Sequence, residues 1–102
     1  MRLQKKKRIE DRALIEKIKS HQSCVVCYTV PIEVDHITTR GAGGDDVVSN
    51  LLPTCRLHHR MRHDHGIKFM MDTFPRYRQW LIDHGRDDVV YNQKHEVQGD
   101  RE

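Results

Sequence analysis

All three cysteines of the chain and four of its eight histidines fall between Cys24 and His63. Two short knuckles stand out, Cys24-Val25-Val26-Cys27 and Cys55-Arg56-Leu57-His58, each with two residues between its potential ligands. Zinc takes four nitrogen or sulfur ligands at the corners of a tetrahedron, and two such knuckles supply two corners each. The 27 residues between Cys27 and Cys55 are enough for a hairpin whose base brings the knuckles together. A lone Cys-x2-Cys would also suit redox chemistry, but the second knuckle uses the one remaining cysteine. An odd cysteine count excludes a full disulfide framework, so reduced, metal-ligating thiols are expected. Cys24, Cys27, Cys55 and His58 are therefore the expected structural zinc ligands.

A second group interleaves with the first: Asp35, His36, Asn50, His59 and His63. A histidine side chain titrates near neutral pH, which suits His36 to general-base work. Asp35 offers a hard oxygen of the kind Mg²⁺ or Mn²⁺ prefers. His59 and His63 are four residues apart on an expected helix, so their rings project from one face and can reach one cation. Hydrolysis of a phosphodiester needs those parts: an activated water, positive charge against the developing negative charge, and fixed geometry. Duller roles stand beside these. His36 could be a hydrogen-bonded strand histidine, Asn50 a turn residue, and His63 a solvated helix residue. His65 suits a helix C-terminus, and His21, His84 and His95 are assigned no chemistry.

The residues Val34-Asp35-His36-Ile37, the run SNLLPTC at 49–55 and HHRMRH at 58–63 together resemble the HNH endonucleases, the ββα-metal nucleases. The likeness spans residues 24–63, about 40 of 102 positions. Knuckles followed at once by another histidine look most like the phage-borne subset that includes the RecA-dependent, Ref-like nucleases. The resemblance implies that Asp35 and His59 hold a catalytic cation, with His63 as a third ligand and His36 as the base. Asn50 would fix the orientation of His36 across the loop. It also implies DNA as substrate, with 5′-phosphate and 3′-hydroxyl products. His58 replaces the more usual fourth cysteine. Because His58 and His59 are adjacent, either could serve the zinc, and the two sites would then exchange a residue.

These residues need particular elements to position them. Residues 8–20 carry Ile9, Ala13, Leu14 and Ile18 at helical spacing. Alternating β-formers over 32–37 predict a strand with Ile32, Val34 and His36 on one face and Glu33, Asp35 and Ile37 on the other. Residues 38–46 form a glycine-bearing loop, and 47–52 a second strand ended by Pro53. Thr54 is the expected cap of a helix that Gly66 closes. A helical turn over 67–72 should turn Phe69, Met70 and Met71 inward. Thr73 should cap a last helix carrying Pro75, Tyr77, Trp80, Leu81 and His84, ended by Gly85. The fold expected is α+β: a zinc-stapled ββα-metal core over 23–66, a basic helical arm over 1–22, a helical cover over 67–85 and a polar, frayed tail over 86–102.

A chain of 102 residues with 36% hydrophobic and 6% aromatic content is one small domain with a thin core, which a metal would reinforce. Residues 1–20 carry a net charge of +5, leaving −2 for the other 82. A basic arm on a near-neutral body suits a polyanion, and the Lys5–Arg8 run would track a nucleic-acid backbone. Arg40, beside the glycine loop, is the candidate phosphate clamp, helped by whichever of Arg56, Arg60 and Arg62 face outward. No apolar run long enough for a membrane span or a signal peptide occurs, so a cytoplasmic protein is expected, in a bacterial host if phage-encoded. Two other functions remain open: a zinc-stapled nucleic-acid-binding module without catalysis, and an accessory subunit that works with a phage or host recombination or packaging protein.

Overall fold

The computed structural model describes residues 7–98, with side chains as far as 92. It is α+β, with a two-stranded antiparallel sheet and five helices. Helix α1 spans Arg12–His21. It begins later than the hydrophobic spacing suggests because the Asp11 carboxylate accepts the Leu14 N–H at 3.0 Å and caps it there. Ile9 therefore lies outside the helix and is exposed. Ile18 is the residue α1 buries.

Strand β1 is Glu33–His36 and β2 is Leu51–Thr54, paired Glu33↔Thr54 through His36↔Leu51. The second strand starts later than expected. Residues Val48–Asn50 form a 3₁₀ turn, and Pro53 lies inside the strand. A two-stranded ribbon has only edge strands, which is where proline is tolerated. The Pro53 carbonyl instead accepts the Val25 N–H at 3.0 Å and ties the first knuckle to the ribbon. Thr54, expected as a cap, is the fully buried last residue of β2. Its hydroxyl has no hydrogen-bond partner among the described residues, and Cys55 takes the N-cap position.

Adjacent strand residues point to opposite faces. One face of the ribbon joins Ile18, Cys24, Ile32 and Leu51 in a small cluster under α1. The other joins Ile37 and Leu52 to Met70, Met71, Tyr77, Trp80, Leu81 and Val90. This larger cluster is roofed by α3 (Ile67–Thr73), α4 (Pro75–Asp83) and α5 (Asp87–Gln98). Gly66, at φ 90°, separates α3 from α2 (Arg56–His65). Phe74, not Thr73, caps α4, and Phe69 lies partly exposed. The expected frayed tail is helical to Gln98, because Val90 is apolar enough to anchor it in the core.

The glycine loop between the strands is held from inside. The Asn50 side chain accepts the Thr38 N–H at 2.7 Å and donates to the Thr38 and Asp45 carbonyls at 3.0 Å each. Arg86 donates to Asn50 Oδ1 at 3.0 Å and to the Thr38 hydroxyl at 3.1 Å. Gly44 packs directly against this staple. A methyl group there would overlap the Thr38 carbonyl and stand 2.9 Å from Asn50 Nδ2. Because the obstacle is backbone, Gly44→Ala is expected to destabilise by about 3 kcal/mol. A urea midpoint unchanged from wild type would contradict that packing.

Candidate metal centre and the sites beside it

Cys24, Cys27, Cys55 and His58 converge as one group that could hold a metal ion, with all four ligand atoms within 4.8 Å of one another. Cys27 Sγ and Cys55 Sγ are 3.8 Å apart, and His58 Nδ1 lies 3.2 Å from Cys55 Sγ and 3.7 Å from Cys24 Sγ. Zinc with sulfur at ~2.3 Å and imidazole at ~2.0 Å has tetrahedral edges of about 3.5–3.8 Å. The donor set and its spacings fit that ion.

Local geometry prepares the donors. Tyr28, which follows the first knuckle, takes a left-handed φ of 65° and returns its N–H to the Cys24 carbonyl at 2.8 Å. That strained turn folds the Cys-x2-Cys segment back on itself. The Thr29 hydroxyl lies 3.1 Å from Cys27 Sγ, and it holds this thiol down at about 7. Burial pushes the Cys24 thiol up, as expected of a sulfur that needs a cation to carry its charge. Burial also lowers His58, which favours the neutral, ligating imidazole. Phe74 packs edge-on to that ring, with centroids 5.1 Å apart.

The ambiguity between neighbouring histidines has a geometric answer. Successive residues on a helix are rotated by about 100°, so only one of two can face the thiols. His58 does. His59 turns to the strand, where its Nδ1 lies 2.8 Å from Glu33 Oε1. On the other side of its ring, His59 Nε2 lies 3.2 Å from His63 Nε2. His59 and His63 are thus together as their spacing predicts, with Glu33 as a partner the sequence reading did not single out. The His59 contact, aided by Arg56, holds the Glu33 carboxyl below its usual range.

Asp35 does not join them. It is 1% exposed, its Oδ2 accepts from the Tyr77 hydroxyl at 3.0 Å, and Arg62 Nε stands 3.5 Å away. Arg62 also donates to the Ile37 carbonyl at 3.1 Å, so it braces the sheet and is turned away from any phosphate. Burial, then the nearby Asp35 charge, pushes the Tyr77 hydroxyl far up, so it stays a neutral donor. Strand pairing is regular as far as His36, so Asp35 and His36 leave opposite faces of β1. Among the described residues, the cysteine–histidine group is the only cluster of three or more metal-ligating atoms.

His36 faces the N-terminal segment. Its Nε2 lies 2.8 Å from Asp46 Oδ1, and Asp46 is 4% exposed. Asp46 also accepts the Asp11 N–H at 2.9 Å and Arg8 Nη1 at 3.1 Å. Burial opposes the Asp46 charge, but the Asp11 amide, His36 and Arg8 overcome it and hold the carboxyl far below the usual range. Because its folded value is depressed, Asp46 contributes stability that is full above about pH 4 and lost as pH falls further. Asp46→Asn should cost about 1–3 kcal/mol at pH 7 and flatten the decline between pH 4 and pH 2, read from urea midpoints. Equal slopes in variant and wild type would contradict it.

The segment 7–11 is clamped to the loop. Arg8 donates to the Gly44 carbonyl at 2.8 Å, the Ile9 N–H reaches Asp45 Oδ1 at 2.7 Å, and the Asp46 N–H reaches the Ile9 carbonyl at 2.8 Å. Lys7, Arg8 and the exposed Arg40 line a cavity of ≈ 550 Å³ with Gly41, Ala42, Gly43 and Asp45. Lys5 and Lys6 lie outside the described residues. Arg56 and Arg60 lie on the exposed side of α2, paired with Glu33 at 3.3 Å and Asp64 at 4.0 Å.

Sequence reasoning gave Asp46, Arg86 and Glu33 no role, and it named Arg8 only in a backbone-tracking run and Tyr77 only on a helix face. Of these, Glu33 alone had a local signal, since strand alternation puts it on the face of Asp35. No helix among the described residues is long and apolar enough to cross a membrane. Comparison with protein-family models, curated proteins and solved structures gives no match to this chain.

Proposed function

We propose that the chain is a metal-dependent DNA endonuclease of the ββα-metal type, stapled by zinc at Cys24, Cys27, Cys55 and His58. The observation that carries this reading is the imidazole of His36 held through Nε2 by the buried carboxylate of Asp46. An ionised carboxylate only accepts, so Nε2 bears the proton and Nδ1 keeps a lone pair for a water molecule. Asp46 then steadies the imidazolium once His36 has taken that proton. The Asn50 staple fixes the loop around this pair and thereby its aim. Lys7 and the exposed Arg40 beside the same loop offer positive charge to a phosphate backbone, while Arg8 is committed to Asp46 and the Gly44 carbonyl.

A divalent cation, Mg²⁺ or Mn²⁺, would supply charge against the developing phosphorane oxygens. His59 and His63 fit such an ion, with Nε2 atoms 3.2 Å apart, whereas Asp35 is committed to Tyr77 and Arg62. That commitment favours the second reading, a zinc-stapled nucleic-acid-binding module without catalysis. Zinc-loaded protein incubated with supercoiled plasmid and Mg²⁺ or Mn²⁺ separates the two. Metal-dependent nicks with 5′-phosphate ends support the nuclease. Retarded but uncut plasmid across all metal concentrations would leave only the binder, alone or within a recombination or packaging complex.

A further inference from the structure

We infer that Glu33 is the positioning residue of a two-histidine cation site, fixing the tautomer of His59 so that His59 Nε2 and His63 Nε2 chelate one divalent ion. This rests on the nuclease reading for its purpose, but its geometry stands alone. Glu33 Oε1 lies 2.8 Å from His59 Nδ1, and a carboxylate can only accept, so Nδ1 carries the proton. In the neutral ring the lone pair of His59 is then on Nε2, directed at His63 Nε2 3.2 Å away. Two imidazole nitrogens at that separation match two adjacent corners around an ion at about 2.0–2.1 Å from each. Without the ion, His63 donates its Nε2 proton to His59. With the ion, the exposed His63 ring moves that proton to Nδ1, and both Nε2 lone pairs become ligands. Carboxylate, histidine and metal then form the arrangement that orients metal-bound histidines generally.

Glu33 is not itself a ligand here, because it occupies the nitrogen opposite the ion. Two protein donors leave most of the coordination sphere to water and phosphate oxygens, the condition a hydrolytic cation needs. The rings are offered together: they stand i, i+4 on α2 with centroids 4.8 Å apart and planes inclined at 51°. Asp35, two residues along the same face as Glu33, is sealed under Tyr77 and Arg62, and Arg56 steadies the second Glu33 oxygen at 3.3 Å.

Histidine-ring ¹⁵N–¹H spectra of the zinc-loaded chain, recorded where His59 is neutral, test the tautomer without any variant. His59 protonated on Nδ1 is expected, and protonation on Nε2 would overturn the inference. Mn²⁺ added to the same sample should broaden the His59 and His63 ring signals before those of the other histidines. Broadening elsewhere first would overturn it. By calorimetry, Glu33→Ala should weaken Mn²⁺ binding 10–100-fold, and Glu33→Gln, whose amide oxygen still accepts from Nδ1, should restore most of it. Unchanged affinity in Glu33→Ala overturns the inference even if plasmid is still nicked, and the nuclease reading then survives. Weakened affinity in a chain that never nicks DNA supports the inference and removes that reading.

Discussion

Removing the zinc proposed for the cysteine–histidine group is expected to abolish the chain's cooperative unfolding transition. The apparent binding free energy of a structural zinc at pH 7 is about 10–16 kcal/mol. A small domain holds only about 5–15 kcal/mol in total. The clusters on the two faces of the ribbon are small, and Cys24 is itself a fully buried member of one. Without the ion, the thiol of Cys24 stays buried and neutral, and His58 loses the partner that justifies its burial. The knuckles also tie α2 to the segment before β1, so their release separates the helix from the ribbon it packs against. Cys55→Ser should behave like the stripped protein, because Cys55 is both a ligand and the first residue of α2's cap. The readout is near-ultraviolet circular dichroism from Trp80, followed against temperature before and after a chelator. A melting temperature within a few degrees of the loaded protein would contradict a structural role for the ion.

The second large effect concerns rate. His36→Ala is expected to lower the rate of plasmid nicking by about 10²–10⁴, the usual share of a general base. Stability should change far less, since Asp46 keeps the Asp11 amide and Arg8 as partners when the ring is gone. Zinc content should not change, because His36 lies on the ribbon face toward α1 and touches none of the four ligands. Loss of nicking with zinc and melting temperature preserved would separate chemistry from folding. Equal nicking by the variant would remove His36 from the reaction and return its contact with Asp46 to a purely structural role.

The cysteine–histidine group that could hold a metal was legible in the sequence because each knuckle is local: two residues between potential ligands leave the chain little choice but to present both. Asn50 was legible by type, as an amide able to bridge both sides of a loop. The long-range contacts that fix the surroundings of these residues were not. Asp46 meets Arg8 across 38 residues, Asp35 meets Tyr77 across 42, and Arg86 reaches Asn50 across 36. No periodicity encodes such pairs. They exist because the N-terminal segment folds over the glycine loop and α4 folds under the ribbon. Along one face of β1, Asp35 meets Tyr77 and Arg62 while Glu33 meets His59, a division that strand alternation alone does not reveal. Pro53 and Thr54 misled for a related reason. A two-stranded ribbon accepts a proline that a wider sheet would reject, so the strand runs on to the residue expected to cap α2. The helical tail was hidden by its polarity, with Val90 the one buried anchor among the described side chains of α5.

The measurement that bears most directly on the central claim is single-turnover conversion of supercoiled to nicked plasmid by zinc-loaded protein, wild type beside His36→Ala, with Mg²⁺ or Mn²⁺ added. Metal-dependent nicking by the wild type, reduced at least about 100-fold in the variant, is the predicted result. Absence of nicking by the wild type with every divalent cation tried, or equal nicking by both proteins, would contradict it.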